Sequence, residues 1–581
     1  MFTCNQCSKA FKRKDHLKRH MVNHSDTKHV YRHLKRHKEK DIEAGGEGLG
    51  ELVTRRKFWS PQEGYTKKVK GEDGGSSPDS TDTRLFSKND SDTFTENHNF
   101  EAALEPELLK LSRRSSTVWN KYNFEYPSVD CSMPTLDQPT MERVQRFVRG
   151  LCETEKVVLE TVNSCGMLES SSVQRSLGNF FSGFNLTYPL VHLQTFGTES
   201  IYLLASLVLA GSCTEYLVAT KLVAMLEKRL LELPGLLGGN LQLVQALIVC
   251  QFVNFFFGDK MQHEHGLAFS GVLTHILRQN GYFKQTSEPG SWHEWVVSES
   301  RIRAAFLALR LDVEKSVLFG CENTLSAYEL HCNMPCSLQL WMASAEEWQT
   351  LRRRSRPVSF PAALQGYLSS KHGIIATDGH QKQVLLHGIL SVFLDRRKLG
   401  PGFSDNNWKL QVLTALENWS DDFSRWQISV KESVRNDPIF MQFTTSVGAL
   451  YRHAHLLLST NFASPKKLLA MADCTFADTR TAVWHASQMI IEGYLNLDYW
   501  QADGSFHYDW CLYTAAMVIW KHFKGSGSTD MAKVLLNLSR RTPQDIMAPP
   551  IDARPIVEHL QKKFAQNPSL VLKSLAKDMS Q

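Results

Sequence analysis

The chain has 581 residues, enough for several domains and a large core, and its formal charge of +6 conceals a division. Residues 1–40 hold twelve Lys/Arg against three Asp/Glu, a net +9, so the remainder sums to −3 and a polyanionic partner is expected at one end only. The most apolar run, residues 243–257, contains Gln245, Gln251 and Asn254 and is too short and too polar to span a bilayer, which excludes a membrane protein of the helical kind.

In chain order, the first element is a metal-ligand pattern. Two residues separate Cys4 from Cys7, twelve separate Cys7 from His20, and three separate His20 from His24. That is the spacing of a ββα C2H2 zinc finger, in which a hairpin presents two thiolates and a helix two imidazoles to one tetrahedral Zn²⁺. Phe2, Phe11 and Leu17 fall where such a finger needs its small core. So short a segment cannot fold on apolar burial alone, and zinc contributes on the order of 10–16 kcal/mol in finger peptides. Counted back from His20, the groove-facing side chains are Arg13, His16 and Arg19, with Asp15 beside Arg13. Arginine forks and a donating imidazole match the N7 and O6 acceptors of guanine, so the expected site is a GGG triplet in the major groove of double-stranded DNA. Lys12, Lys14 and Lys18 are placed to contact phosphates.

Residues 25–40 read as a degenerate or truncated second finger. Arg32-His-Leu-Lys-Arg-His37 repeats the end of the first finger's helix, but the cysteine pair is absent and position 41 is Asp. Arg32, Lys35 and Arg36 then serve as a basic arm for phosphates and nuclear import. One finger reads about three base pairs, too few to address a promoter, so a lost second finger, the basic arm or dimerisation through the body must lengthen the site. Residues 41–135 lack sustained periodicity and read as a disordered linker. Within it, residues 71–111 carry ten Asp/Glu against three Lys/Arg, punctuated by Phe86, Phe94 and Phe100. An acidic activation segment and a plain solvated linker both fit.

From 136 to 581 the periodicity is helical and β-branched alternation is nearly absent, so the fold is mainly α: a small N-terminal finger, the linker, and a large all-α domain. Helices are expected over Met141–Leu159, over Ile201–Leu233 as two helices around Gly211 or one kinked helix, and over Leu241–Phe257 as a central buried element. Further helices are expected over Gly266–Asn280 and Trp292–Val317, then near 385–397, 407–428, 440–460, 476–499 and 508–523. The ten cysteines outside the finger lie in apolar stretches and read as reduced, buried thiols. His331, Cys332 and Cys336 lack a matching ligand pair for a second metal site. No Gly-rich phosphate loop or nucleophile elbow is present, and His263-Glu-His265 lacks the spacing of a helical metal pair, so no enzyme is expected.

Three motifs carry a resemblance. Phe180-Phe-Ser-Gly-Phe184 with Tyr188-Pro-Leu-Val-His192 and Phe196 is similar to the opening of the fungal-specific transcription factor domain, or middle homology region. Trp292-His-Glu-Trp295, Glu299, Arg301, Arg303, Asp312 and Phe319 resemble its second signature, and Met334-Pro-Cys-Ser337 with Trp341 its closing one. The resemblance covers about 180–345 and implies a nuclear, sequence-specific regulator of RNA polymerase II promoters with transcription machinery or co-regulators as partners. An RNA- or protein-gripping finger on a helical scaffold is the alternative. The tryptophans are expected in the core, and Glu299, Arg303 and Asp312 in internal pairs.

Overall fold

The computed structural model describes residues 2–3, 10–11, 133–285, 289–369, 378–399, 407–435, 437–459, 479–496, 506–522 and 561–562. The chain divides into two units, Met1–Tyr122 and Asn123–Gln581. In the first, β1 (Phe2–Thr3) pairs antiparallel with β2 (Ala10–Phe11), in the register Phe2 to Phe11 and Thr3 to Ala10. The rest of the finger, the basic arm at 25–40 and the linker up to residue 132 lie outside the described residues.

The second unit starts where Asp137 caps α1 (Gln138–Leu151), its side chain accepting from the Thr140 N–H. The expected single helix over 141–159 is two. α1 stops at Cys152, whose N–H bonds the Arg149 carbonyl, and α2 (Lys156–Ser164) starts after a turn. The turn lets Val158 and Val162 be buried on a separate axis from Met141, Val144 and Val148. α3 (Ser170–Asn179), which periodicity missed, runs into a π-turn at Phe180–Phe184.

α4 (Ile201–Ser212) and α5 (Val218–Leu231) confirm two helices rather than one kinked one. Gly211 matters for another reason. A Cβ there would stand 1.9 Å from the Ser176 carbonyl oxygen of α3, so only glycine lets the two backbones approach. α6 (Leu241–Phe256) is the expected central helix, buried continuously from Val244 to Phe256 and packed against α4, α5 and α7. α7 (Lys260–Gln279) begins six residues earlier than periodicity suggested, because Asp259 and Gln262 form a capping box.

α8 (Trp292–Phe319) is the spine, 28 residues and about 42 Å long. It ends at Gly320, whose φ of 70° is the left-handed value glycine tolerates, with its N–H on the Ser316 carbonyl. One side of α8 meets α6 and α7; the other meets the second half of the body. That half comprises α9 (Ala345–Arg354), α10 (Phe360–Leu368), α11 (Gly379–Lys398), α12 (Trp408–Ser429), α13 (Pro438–Ser459), α14 (Thr479–Asn496) and α15 (His507–His522). α11 packs on α8, α12 and α10, while α15 packs on α13, α14 and α8. Among the described residues of this unit every extended element is helical, and no helix of the described chain is long and apolar enough to cross a membrane.

Candidate functional site

The four expected zinc ligands, Cys4, Cys7, His20 and His24, lie outside the described residues. So do the base-reading set Arg13, Asp15, His16 and Arg19 and the phosphate-contacting Lys12, Lys14, Lys18, Arg32, Lys35 and Arg36. What is described is the hairpin register that brackets the cysteine pair: Thr3, which precedes Cys4, pairs with Ala10. In the sequence the two cysteines fall between these strands, and the two histidines are four residues apart. The donor set, two soft thiolates and two imidazoles, suits Zn²⁺. Among the described residues, no group of three His, Cys, Asp or Glu is placed to hold a metal.

In the helical body the three sequence motifs converge on one side chain, Arg303 of α8. Its Nε stands 2.9 Å from Glu299 Oε1, one turn earlier on the same helix. Its Nη2 donates to the Cys336 carbonyl at 2.7 Å and its Nη1 to the Pro189 carbonyl at 3.4 Å. The guanidinium lies 4.3 Å over the Trp341 ring. Glu299 Oε1 also accepts the Cys336 N–H at 2.8 Å. One buried ion pair therefore joins the Tyr188–His192 loop, the spine and the Met334–Ser337 loop. Burial pushes the Glu299 carboxyl up, with Arg303 and the Cys336 N–H pulling the other way.

Each motif is held in place by its own chemistry. Asn185 Oδ1 accepts the Leu190 and Val191 N–H groups at 3.0 and 2.9 Å, and its Nδ2 donates to the Val191 carbonyl, which fixes the loop before His192. Trp295, Trp341 and Trp348 are buried in one cluster with Trp292 against it, so the tryptophans are core. His192 packs 4.7 Å from Trp341, and burial pushes its imidazole down to about 4. Asp312 pairs with Lys315 at 2.7 Å and accepts the Thr324 and Leu325 N–H groups, closing the turn after the spine. Eight described cysteines are free thiols, five of them buried. Cys336, considered for a metal, instead takes a 3.4 Å contact from Arg303 Nη2.

Sequence reasoning did not single out the other buried charges. Arg310 pairs with Glu314 at 2.8 Å, a spacing of four that was readable on the helix. Glu314 also receives His387 Nε2 at 3.0 Å, and His507 Nδ1 stands 3.4 Å away. Burial opposes the charge on Glu314, but Arg310 and the two histidines outweigh it and hold the carboxyl well below its usual range. Lys382 of α11 pairs with Asp422 of α12 at 2.5 Å, and the Tyr367 hydroxyl donates to the same oxygen.

Comparison with known proteins places this body. Residues 177–421 match the fungal specific transcription factor domain. The match begins at the foot of the π-turn and ends inside α12, extending the motif resemblance well beyond residue 345. A nicotinate catabolism cluster-specific transcription factor of Emericella nidulans is 25% identical, over 69% of this chain and 54% of its own length. Zinc finger protein klf1 of Schizosaccharomyces pombe is 21% identical, over 67% of this chain and 58% of its own. Zinc finger protein zas1 of the same organism is 22% identical, over 62% and 46%. The chain thus spans about half the length of the curated relatives it matches. No solved structure matches it.

Proposed function

We propose that the chain is a sequence-specific DNA-binding regulator of transcription in the nucleus, acting at RNA polymerase II promoters. In this reading a C2H2 finger reads DNA and the helical body regulates the output through co-regulators. The observation that carries the reading is the match over 177–421, with its three motifs tied together at Arg303. The β1–β2 register on either side of the cysteine pair in the sequence supports the finger, and so do the two Schizosaccharomyces relatives, both zinc finger proteins by name.

Cys4, Cys7, His20 and His24 would hold Zn²⁺, whose role is structural: it supplies the folding energy that so small a segment lacks. The ordered helix then sets Arg13, His16 and Arg19 against a GGG triplet, with Asp15 bracing Arg13, while Lys12, Lys14, Lys18 and the arm Arg32, Lys35 and Arg36 add affinity without sequence information.

The test uses the full chain. It should carry about one zinc, and Cys7→Ala should remove both the zinc and DNA binding while leaving the helical circular dichroism of the body intact. Site selection should return GGG-containing DNA, and Arg19→Ala should relax one guanine at a cost of about 1–3 kcal/mol. Selection of A/T-rich sites, or of RNA over DNA, would refute the assignment. As a monomer on an isolated triplet the chain should bind weakly, because about three base pairs and screened phosphate contacts are all it has.

A further inference from the structure

An exposed basic run ends α9. Arg352, Arg353 and Arg354 close the helix, Ser355 caps it with its N–H on the Leu351 carbonyl, and Arg356 and Pro357 follow. Residues 353–357 are exposed without a break. Among the described residues none of the four arginines forms an ion pair. Arg352 alone is held, donating to the Pro289 carbonyl at 3.3 Å and lying 4.9 Å over the Trp348 ring.

Ser355 differs from the serines at the starts of helices. Ser291 and Ser344 each accept a backbone N–H of the helix they precede. Ser355 stands at the far end of α9, and its hydroxyl has no hydrogen-bond partner among the described residues. From there the backbone is extended, with φ −91° and ψ 128° at Ser355. Pro357 bars further helix and keeps Arg356 extended. The segment is then anchored where the Val358 carbonyl accepts the Met334 N–H at 2.8 Å. The last turn of α9 opens at little cost, because its one buried side chain, Trp348, lies more than a turn before Arg353.

We propose that Ser355 is a phosphorylation site for a serine kinase that selects arginine ahead of the acceptor. Such an enzyme offers acidic side chains to the residues before the serine, and the three before Ser355 are all arginine. In the transfer, Ser355 Oγ bonds to the γ-phosphorus of Mg²⁺-bound ATP as the bond from that phosphorus to the β,γ-bridging oxygen breaks. ADP leaves, and the hydroxyl proton passes to the kinase's base. The new group carries about −1.5 to −2 charges at neutral pH, which removes about half the positive charge of the four arginines. Its oxygens accept from Arg356 and from Arg352, three positions back on the last turn. Pairing with Arg352 competes with the Pro289 carbonyl, two residues before the Ser291 cap of α8, so the mark reaches the start of the spine. None of this depends on what the finger binds.

The test uses the folded full chain, Mg²⁺-ATP and the catalytic subunit of cyclic-AMP-dependent protein kinase. Mass spectrometry must resolve the site, because Arg113-Arg114-Ser115-Ser116 offers a similar sequence. Phosphate should appear on Ser355 at a rate within about tenfold of that for a free peptide of residues 348–362, and casein kinase II, which selects acidic sequences, should leave it bare. Arg353→Gln, at an exposed position, should slow the reaction about tenfold or more, and Arg353→Lys should restore part of the rate. With Ser115 and Ser116 replaced by alanine, phosphorus NMR of the modified chain should show the phosphate titrating below its ordinary value of about 6, and Arg356→Gln should raise it. A peptide modified while the folded chain is not, or a rate indifferent to Arg353→Gln, would overturn the site and leave a static basic face. An unshifted phosphate would overturn the pairing.

Discussion

α6 and α8 are both central helices with long continuously buried stretches, yet they solve burial in opposite ways. α6 is continuously buried over residues 244–256 with only Gln245, Gln251 and Asn254 as polar side chains, all neutral. α8 is continuously buried over residues 303–318 and carries five charges there, each with an oppositely charged partner at a spacing of three or four. An apolar helix contributes stability in proportion to area removed from water. A charged helix contributes little net energy, since desolvation offsets the attraction, but each pair admits only one geometry. α6 is therefore the source of cohesion, and α8 is the element that sets register between the halves.

That contrast can be broken from either side. Arg310→Met strands Glu314 among two histidines, and the body should lose about 3–5 kcal/mol in denaturant unfolding. Leu247→Ala in α6 opens a cavity and should cost about 2–5 kcal/mol, with no dependence on salt. A smaller loss from Arg310→Met than from an exposed substitution would remove the case for a charged spine.

Glu227 of α5 is where the apolar region holds an acid. It is fully buried, its Oε2 accepts from Asn254 Nδ2 at 2.6 Å, and His265 Nδ1 stands 3.9 Å off. Burial pushes its carboxyl up to about 7, against hydrogen bonds from Asn254 and Gln251. The folded chain therefore binds more protons than the unfolded one between the ordinary carboxylate range and about pH 7, and stability falls as pH rises through that window. Glu227→Gln should match the parent near pH 5 and exceed it near pH 8, as read by chemical denaturation at both. Asp509, also pushed up to about 7 by burial, is shared by both proteins and cancels. The smallest effect is expected at Val297, 52% exposed on the first turns of the same spine, where alanine should change stability by less than about 0.5 kcal/mol.

The long helices were legible because their apolar residues recur at helical spacing: 408–429, 438–459 and 507–522 fall within a few residues of the expected spans. α9 was missed although Ser344 and Glu347 spell a capping box, because Trp348 is its single buried residue and leaves no stripe. The π-turn was invisible for a different reason. Phe180, Phe181 and Phe184 read as a motif, but the contact of Phe184 with Phe252, 68 positions on, carries no local signal in the sequence. The cost of burying a charge unpaired made internal pairs the expectation for Glu299, Arg303 and Asp312, and the three are paired. Gln383, His387 and His507 could not be found that way, since they meet the Arg310–Glu314 pair from 73 or more positions away.

Phe506 stacks on Tyr188 at 5.4 Å, approaches Phe184, Phe256 and Phe257, and offers its N–H to the Tyr188 hydroxyl, 318 positions back along the chain. A ribosome must therefore release nearly the whole body before the aromatic cluster begun at residue 180 can shut. Until then Phe184 and Tyr188 lack the ring that packs on them, and apolar surface left exposed in this way is prone to aggregate. Synthesis and competence are thus separated in time, and a fragment cut at residue 421 would inherit the family's motifs without the ring that seals them.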